Sequence, residues 1–198
     1  MHGPIAVLAG TPVDTRMGVA YLEERGLPGV PFPLSRGPRE QTAFQHAPAA
    51  DKRRQALAVL RGAAVDFPGL AEETGMRIVT PLDVYRRLAP RYRALGVIAA
   101  NAQGLSGIEK VLLEANPALD LLGACALPVV LAVEAGMPPE ELVERHRLAA
   151  LAAWFADGGM EALVLGCTHF PYFKEALAAR TGLPLVDPAE EMLRLLTQ

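Results

Sequence analysis

Val164-Leu165-Gly166-Cys167-Thr168-His169-Phe170-Pro171 is the stretch on which the reading of this chain turns. An apolar run that begins at Ala162 stops at Gly166, and a thiol, a hydroxyl and an imidazole follow in three consecutive positions. A short apolar run bounded by glycine is the pattern of a strand buried on both faces. Working outward, Ile5–Ala9 predicts a similar strand ending at Gly10, and Leu95–Ala99 another. Val30–Leu34, Arg77–Thr80 and Leu183–Val186 are weaker strand candidates, and Leu121–Ala124 is apolar. Between them lie helical patterns at Met17–Arg25, Asp51–Arg61, Leu82–Leu95 (apart from Pro90), Gly107–Glu114, Pro139–Phe155, Phe173–Ala179 and Pro188–Leu196. Alternation of this kind predicts an α/β protein with mainly parallel sheets. The best internal boundary lies near Arg86–Arg93. It divides the chain into a first lobe, residues 1–89, to which 186–198 return, and a second lobe, residues 90–185.

Composition narrows the class. The 198 residues are 51% hydrophobic, 21% charged and 6% aromatic, with a mean hydropathy of +0.21, which predicts a folded chain. A net charge of −3 with no basic stripe argues against nucleic acid as a partner. Leu121–Val133, the longest apolar stretch, contains Pro128 and is too short to span a bilayer. Met1-His2-Gly3-Pro4-Ile5 lacks the basic start and apolar run of a signal peptide, so the expectation is a cytoplasmic protein without membrane partners. The two cysteines, Cys125 and Cys167, form neither a disulfide framework nor a zinc pattern.

Active sites in parallel α/β proteins sit at the carboxyl ends of strands, which points to Gly10–Asp14, Ala100–Ser106 and Cys167–His169. Free backbone N–H groups at a helix start, together with His169, favour the thiolate of Cys167 and a carboxylate ligand. The plainer alternative is that Cys167 is a small buried hydrophobe and His169 a core histidine. Asn101 and Gln103 offer amide donors suited to a carboxylate. Asp14 either orients a base or an ammonium group or caps the coming helix. Arg36 and Arg39 meet an acidic substrate or are solvated. His46 and His146 read as surface residues, and Trp154 and Phe155 as core.

The Gly166-Cys167-Thr168-His169 segment resembles the second catalytic motif of the aspartate/glutamate racemase family. Gly96-Val97-Ile98, Ser106-Gly107 with Glu109-Lys110, Ala124-Cys125-Ala126-Leu127 with Val133-Glu134-Ala135-Gly136, and Val186-Asp187-Pro188-Ala189-Glu190 extend the resemblance through the second half, most closely to glutamate racemases. The resemblance implies two similar lobes with the active site in the cleft between them. It implies racemisation of an amino acid, expected to be acidic, or action on a related carboxylate, with neither pyridoxal phosphate nor metal. It makes Cys167 the acid/base, His169 its support, and Thr168 and Thr11 carboxylate contacts. Gly10, Asp14, Arg36, Asn101, Gln103 and Ser106 complete the expected substrate shell, with Cys167, Thr168 and His169 facing Gly10, Thr11 and Asn101 across the cleft. A homodimer is expected, with Leu148–Phe155 as a candidate contact.

The first half departs from the family. Ala9-Gly10-Thr11-Pro12 stands where Asp-Ser-Gly is usual, and Ser35-Arg36-Gly37-Pro38-Arg39 keeps only the tail of Pro-Tyr-Gly-Pro-Arg. In the second lobe, Ala100-Asn101-Ala102-Gln103 replaces a Thr-rich loop. The family uses two thiols on opposite faces of its substrate, the first in a Cys-Asn-(Thr/Ser) motif after a first-lobe strand. Here the helical pattern Asp51–Arg61 runs through Gly62 into Ala63-Ala64-Val65, with neither the strand nor the cysteine between. Cys125 does not replace it, because it belongs to the lobe of Cys167. The expectation is a lost strand or, favoured over it, a segment missing near Gly62, because a missing central strand leaves a core-sized hole. Two alternatives to a racemase stand beside it: a one-thiol enzyme of the same fold, such as a decarboxylase, and a non-catalytic carboxylate-binding homologue.

Overall fold

The computed structural model describes residues 5–9, 12–33, 55–59, 69, 71–72 and 77–197. The chain divides into two compact units, Met1–Pro81 with Met192–Gln198, and Leu82–Glu191.

In the first unit, β1 (Ile5–Ala9) is buried along its whole length. It pairs in parallel with β2 (Gly29–Pro33) on one side and β3 (Gln55–Val59) on the other, and β3 pairs with β4 (Arg77–Val79). The sheet order is β2-β1-β3-β4. Helix α1 (Pro12–Glu23) crosses β1 closely enough that a Cβ on Gly18 would lie 2.7 Å from Val7 Cγ1. The helix closes at Gly26, whose φ of +71° is the left-handed geometry that glycine accepts without strain. Leu27 N–H then donates back to Leu22 C=O at 3.0 Å.

Strand β3 corrects the helix expected over Asp51–Arg61. Gln, Ala and Leu are good helix formers, and Ala56-Leu57-Ala58-Val59 is too short for periodicity to separate helix from strand. Tertiary pairing decides it, since Ile5 registers with Gln55 and Leu57 with Val79. The strand thought lost is therefore present, paired between β1 and β4 where the missing central strand was expected. The residues following it in sequence are Leu60-Arg61-Gly62, with no cysteine before Cys125. The junction from Leu60 to Val65 itself lies outside the described residues.

The second unit repeats the plan. Strands β5 (Ala94–Ala99), β6 (Asp120–Cys125), β7 (Ala162–Gly166) and β8 (Leu185–Val186) form a parallel sheet in the order β6-β5-β7-β8. Alternation along β5 divides its side chains between two layers. Leu95, Val97 and Ala99 pack with Tyr85 of α2 (Pro81–Leu88) and with Ile108 and Leu112 of α3 (Ala102–Ala115). On the other face a Cβ on Gly96 would lie 2.6 Å from Phe155 Cδ1, so glycine there admits the ring of α6 (Leu148–Asp157).

Helix α4 (Leu127–Glu134) follows β6 directly. The single helix expected over Pro139–Phe155 is two, α5 (Pro139–Arg145) and α6, separated at His146-Arg147. Arg147 takes a φ of 52°, an unusual conformation for a residue with a side chain. No proline or glycine marks this break. Phe155 is fully buried, as expected, whereas Trp154 is 51% exposed and corrects its assignment to the core. His146 is half-buried, where a surface residue was expected. A 3₁₀ turn, Phe170–Phe173, leads into α7 (Lys174–Ala178), and α8 (Pro188–Thr197) is the last helix among the described residues. Among the described residues no helix is long and apolar enough to cross a membrane.

Candidate active site

Register brings the chemistry of the second unit to one edge. Ala99, the last residue of β5, pairs with Cys125 on one side and Gly166 on the other. The segments that start at Ala100, Ala126 and Cys167 therefore leave the sheet side by side, at the carboxyl edge where parallel sheets hold ligands. Gly166 is confined by α3: an added Cβ would meet Ile108 Cδ1 at 2.5 Å and Ile98 O at 3.0 Å. Glycine thus lets β7 run to the edge beneath α3 and place Cys167 just beyond it.

Cys167 and Thr168 are half-buried and His169 is fully buried. His169 Nδ1 lies 3.7 Å from Cys167 Sγ and 3.4 Å from Thr168 Oγ1. Its other nitrogen, Nε2, lies 3.2 Å from Glu134 Oε1 at the end of α4. A carboxylate facing Nε2 favours a proton there, which leaves Nδ1 of the neutral ring able to accept from the thiol. A carboxylate at that distance also stabilises a positive charge on the ring. Thiol, imidazole and carboxylate are thus in series. Phe170 and Phe173, which follow in the chain, are fully buried with centroids 5.3 Å apart. Phe170 N–H donates to Cys167 C=O at 3.0 Å, so the Cys-Thr-His turn opens a 3₁₀ turn rather than a long helix.

Glu134 appeared in the sequence reading only as part of a motif, without a role. The signal was available: an acid ending a helix faces the negative end of the helix dipole, where stability alone disfavours it. No cation within α4 offsets it.

The other expected residues fall into three groups. Asn101 lies at the same edge, and its Oδ1 accepts from Gly104 N–H at 2.9 Å, which caps α3. Gln103 and Ser106 are exposed in the first turns of α3. Asp14 lies in the first turn of α1, in the other unit. Gly10, Thr11 and Arg36 lie outside the described residues, and so does their expected meeting with Cys167. Cys125 is exposed, and neither cysteine is in a disulfide. With β5 between β6 and β7, the two cysteines stand about 10 Å apart across the strands, beyond disulfide reach.

Tyr85, buried on α2, has its phenol pushed far above the ordinary tyrosine range. Burial is the largest cause, followed by the nearby charges of Cys167 and Asp187.

Comparison with known proteins places this geometry. The profile of the Asp/Glu/Hydantoin racemase family matches residues 80–196. The chain is 36% identical over 130 residues to a glutamate racemase of Thermus thermophilus, a match covering 63% of this chain and 46% of that protein. It is 33% identical over 106 residues to a glutamate racemase of Limosilactobacillus reuteri, covering 52% and 39%. The matches thus span less than half the length of these curated relatives. Among solved structures, allantoin racemase from Klebsiella pneumoniae shares the fold with a TM-score of 0.65 at 17% identity, covering 99% of this chain and 86% of that one. The aspartate racemase homologue PH1733 from Pyrococcus horikoshii gives 0.64 at 17% identity, covering 99% and 98%. Glutamate racemase from Francisella tularensis in complex with D-glutamate gives 0.62 at 19%, covering 98% and 80%. With the family profile matching more than half of the chain, on the segment that carries Cys167, His169 and Glu134, the protein belongs to the Asp/Glu/hydantoin racemase family.

Proposed function

We propose that the protein is a racemase-type isomerase that works without a cofactor and moves the proton on the carbon next to a substrate carboxylate, with an acidic amino acid or a related carboxylate as substrate. The Cys167–His169–Glu134 series supports this reading best. As thiolate, Cys167 removes the α-proton, and the imidazolium of His169, backed by Glu134, stabilises that thiolate between turnovers. As thiol, Cys167 gives its proton to that face of the carbanion formed from the other enantiomer, and inversion takes the proton for the opposite face from a donor other than Cys167. In this reading Thr168 and the exposed amide of Asn101 receive the carboxylate, whose negative charge grows as the carbanion forms. The protein acts as a homodimer in the cytoplasm.

One observation favours a second reading. Racemisation requires a proton donor on the opposite face of the substrate, and the chain has no cysteine besides Cys125 and Cys167. An enzyme that protonates a planar carbanion from the Cys167 side alone, as a decarboxylase does, needs no second thiol. Incubating L- and D-glutamate and aspartate in deuterated water, with chiral chromatography, separates the readings. Inversion with α-deuterium incorporation is the expected result. Exchange or decarboxylation with one stereochemical outcome selects the one-thiol enzyme. Ligand-induced thermal stabilisation without any exchange selects a binding homologue.

A further inference from the structure

Helix α6 buries Leu148, Ala152 and Phe155 in the core of its own unit, so these residues of the stretch expected to make a dimer contact are covered by the fold. Away from that face, Arg147, Ala150, Trp154 and Asp157 are all exposed. Their spacing of i, i+3, i+7 and i+10 forms one narrow stripe along a helix. The ring of Trp154 stands out from it, meeting Phe155 edge-on with centroids 5.0 Å apart. Ala150 and Ala153 leave the surface around the ring low, and a cavity of about 440 Å³ lined by Ala149, Ala153, Ala156 and Asp157 opens beside the stripe. Two charges bracket the stripe, each at the end of α6 that disfavours it. Arg147 is the N-cap, at the positive end of the helix dipole, and Asp157, the only charged residue within α6, lies at the negative end. Neither has an ion-pair partner among the described residues. The neighbouring charges pair elsewhere, Arg145 with Glu141 at 3.9 Å and Glu161 with Arg93 at 3.6 Å, and Arg180, which lines the same cavity, is not within ion-pair distance of Asp157. Arg147 also holds a left-handed backbone (φ 52°) that glycine would take without strain, so a side chain is kept there at a conformational cost.

We propose that this stripe is where a second copy of the chain docks, with the two α6 helices antiparallel about a two-fold axis at the level of Ala152. A two-fold contact is self-complementary, so the same stripe serves on both copies. Residues equally far from the axis then face each other. Trp154 lies over Ala150 of the second copy, a large ring against a small residue, and Arg147 meets its Asp157. Both ion pairs form at once, one at each end of the contact. Antiparallel packing also lays the C-terminus of one α6 beside the N-terminus of the other, so each charge gains a helix end of opposite sign. Parallel packing would set Arg147 against Arg147 and Asp157 against Asp157, which charge repulsion disfavours. Helices this short cover less than a standard interface, so association is expected in the micromolar range. The inference rests on the homodimer of the proposed function and assigns it a face.

The test is sedimentation velocity over a series of protein concentrations at low salt, with circular dichroism as the check on folding. The unmodified protein is expected to pass from monomer to dimer as concentration rises. Arg147→Glu and Asp157→Arg, each alone, set like charges together at both ends of the contact and are expected to raise the dissociation constant by at least about tenfold. Mixed in equal amounts, the two variants are expected to form a heterodimer with a dissociation constant close to that of the unmodified protein, because each presents the charge that the other lacks. Trp154→Ala is expected to raise the constant by at least about tenfold as well. A constant unmoved by the reversals, or a loss that mixing does not restore, overturns the antiparallel pairing. If either reversal does not fold, Trp154→Ala decides alone, and an unchanged constant refutes the proposal. Dimers that respond to none of these variants overturn this face while the homodimer reading stands. A protein that stays monomeric at every concentration overturns both.

Discussion

Replacing Gly96 by alanine tests the packing that carries β5 to the site. The added Cβ would sit 2.6 Å from Phe155 Cδ1, 3.0 Å from Phe155 Cγ and 3.2 Å from Leu163 Cδ1. Carbon atoms in favourable contact stand about 3.5–4.0 Å apart, so the ring must retreat by about 1 Å. Phe155 is fully buried and has nowhere to go without displacing α6. Overpacking of this kind costs about 1–3 kcal/mol, whereas the entropy that alanine removes from the unfolded chain returns only about 0.4–1 kcal/mol. The clash wins, and the net expectation is a loss of about 1–2 kcal/mol. Urea denaturation followed by circular dichroism reads this as a lower midpoint at unchanged slope. Phe155→Leu should recover part of the loss in the Gly96→Ala background, with a coupling of at least about 0.5 kcal/mol in a double-mutant cycle. A Gly96→Ala protein as stable as the original, or strict additivity with Phe155→Leu, would refute the packing described for this layer.

Phe155→Ala should cost about 3–5 kcal/mol and Trp154→Ala under about 1 kcal/mol by the same denaturation assay, since only the first ring is buried. Glu134→Gln should slow alkylation of Cys167 near neutral pH by about tenfold while leaving Cys125 unchanged, because the imidazolium loses its carboxylate; equal rates would remove Glu134 from the site. Tyr85 gives a prediction in alkali. Its folded-state ionisation is raised, so its contribution is intact below the unfolded value of about 10 and is lost as pH rises beyond it. Stability should therefore fall by up to about 1.4 kcal/mol per pH unit above pH 10, and Tyr85→Phe should flatten that slope in a pH series of urea melts.

What could be read from sequence follows from what each residue depends on. Ile5–Ala9 and Ala162–Gly166 have the bounds expected of them, because continuous apolar runs ending at glycine have few other places to go. Gln55–Val59 escaped notice because its residues favour a helix and only the pairing with β1 and β4 makes them a strand. The break at His146-Arg147 has no sequence mark, since Arg147 adopts a left-handed backbone that glycine would have announced. At the site, Cys167, Thr168 and His169 were legible because they are consecutive at a strand end. Glu134 is 35 residues away from His169 in the chain, and only the return of α4 to the sheet edge joins them.

The most direct test of the central claim is loss of the α-proton signal of glutamate and aspartate in deuterated water, followed by proton NMR, for the unmodified protein and for Cys167→Ala. The account predicts exchange on at least one enantiomer, abolished in Cys167→Ala and retained in Cys125→Ser. Exchange that persists in Cys167→Ala would contradict it, because the thiol would then not be the group that moves the proton.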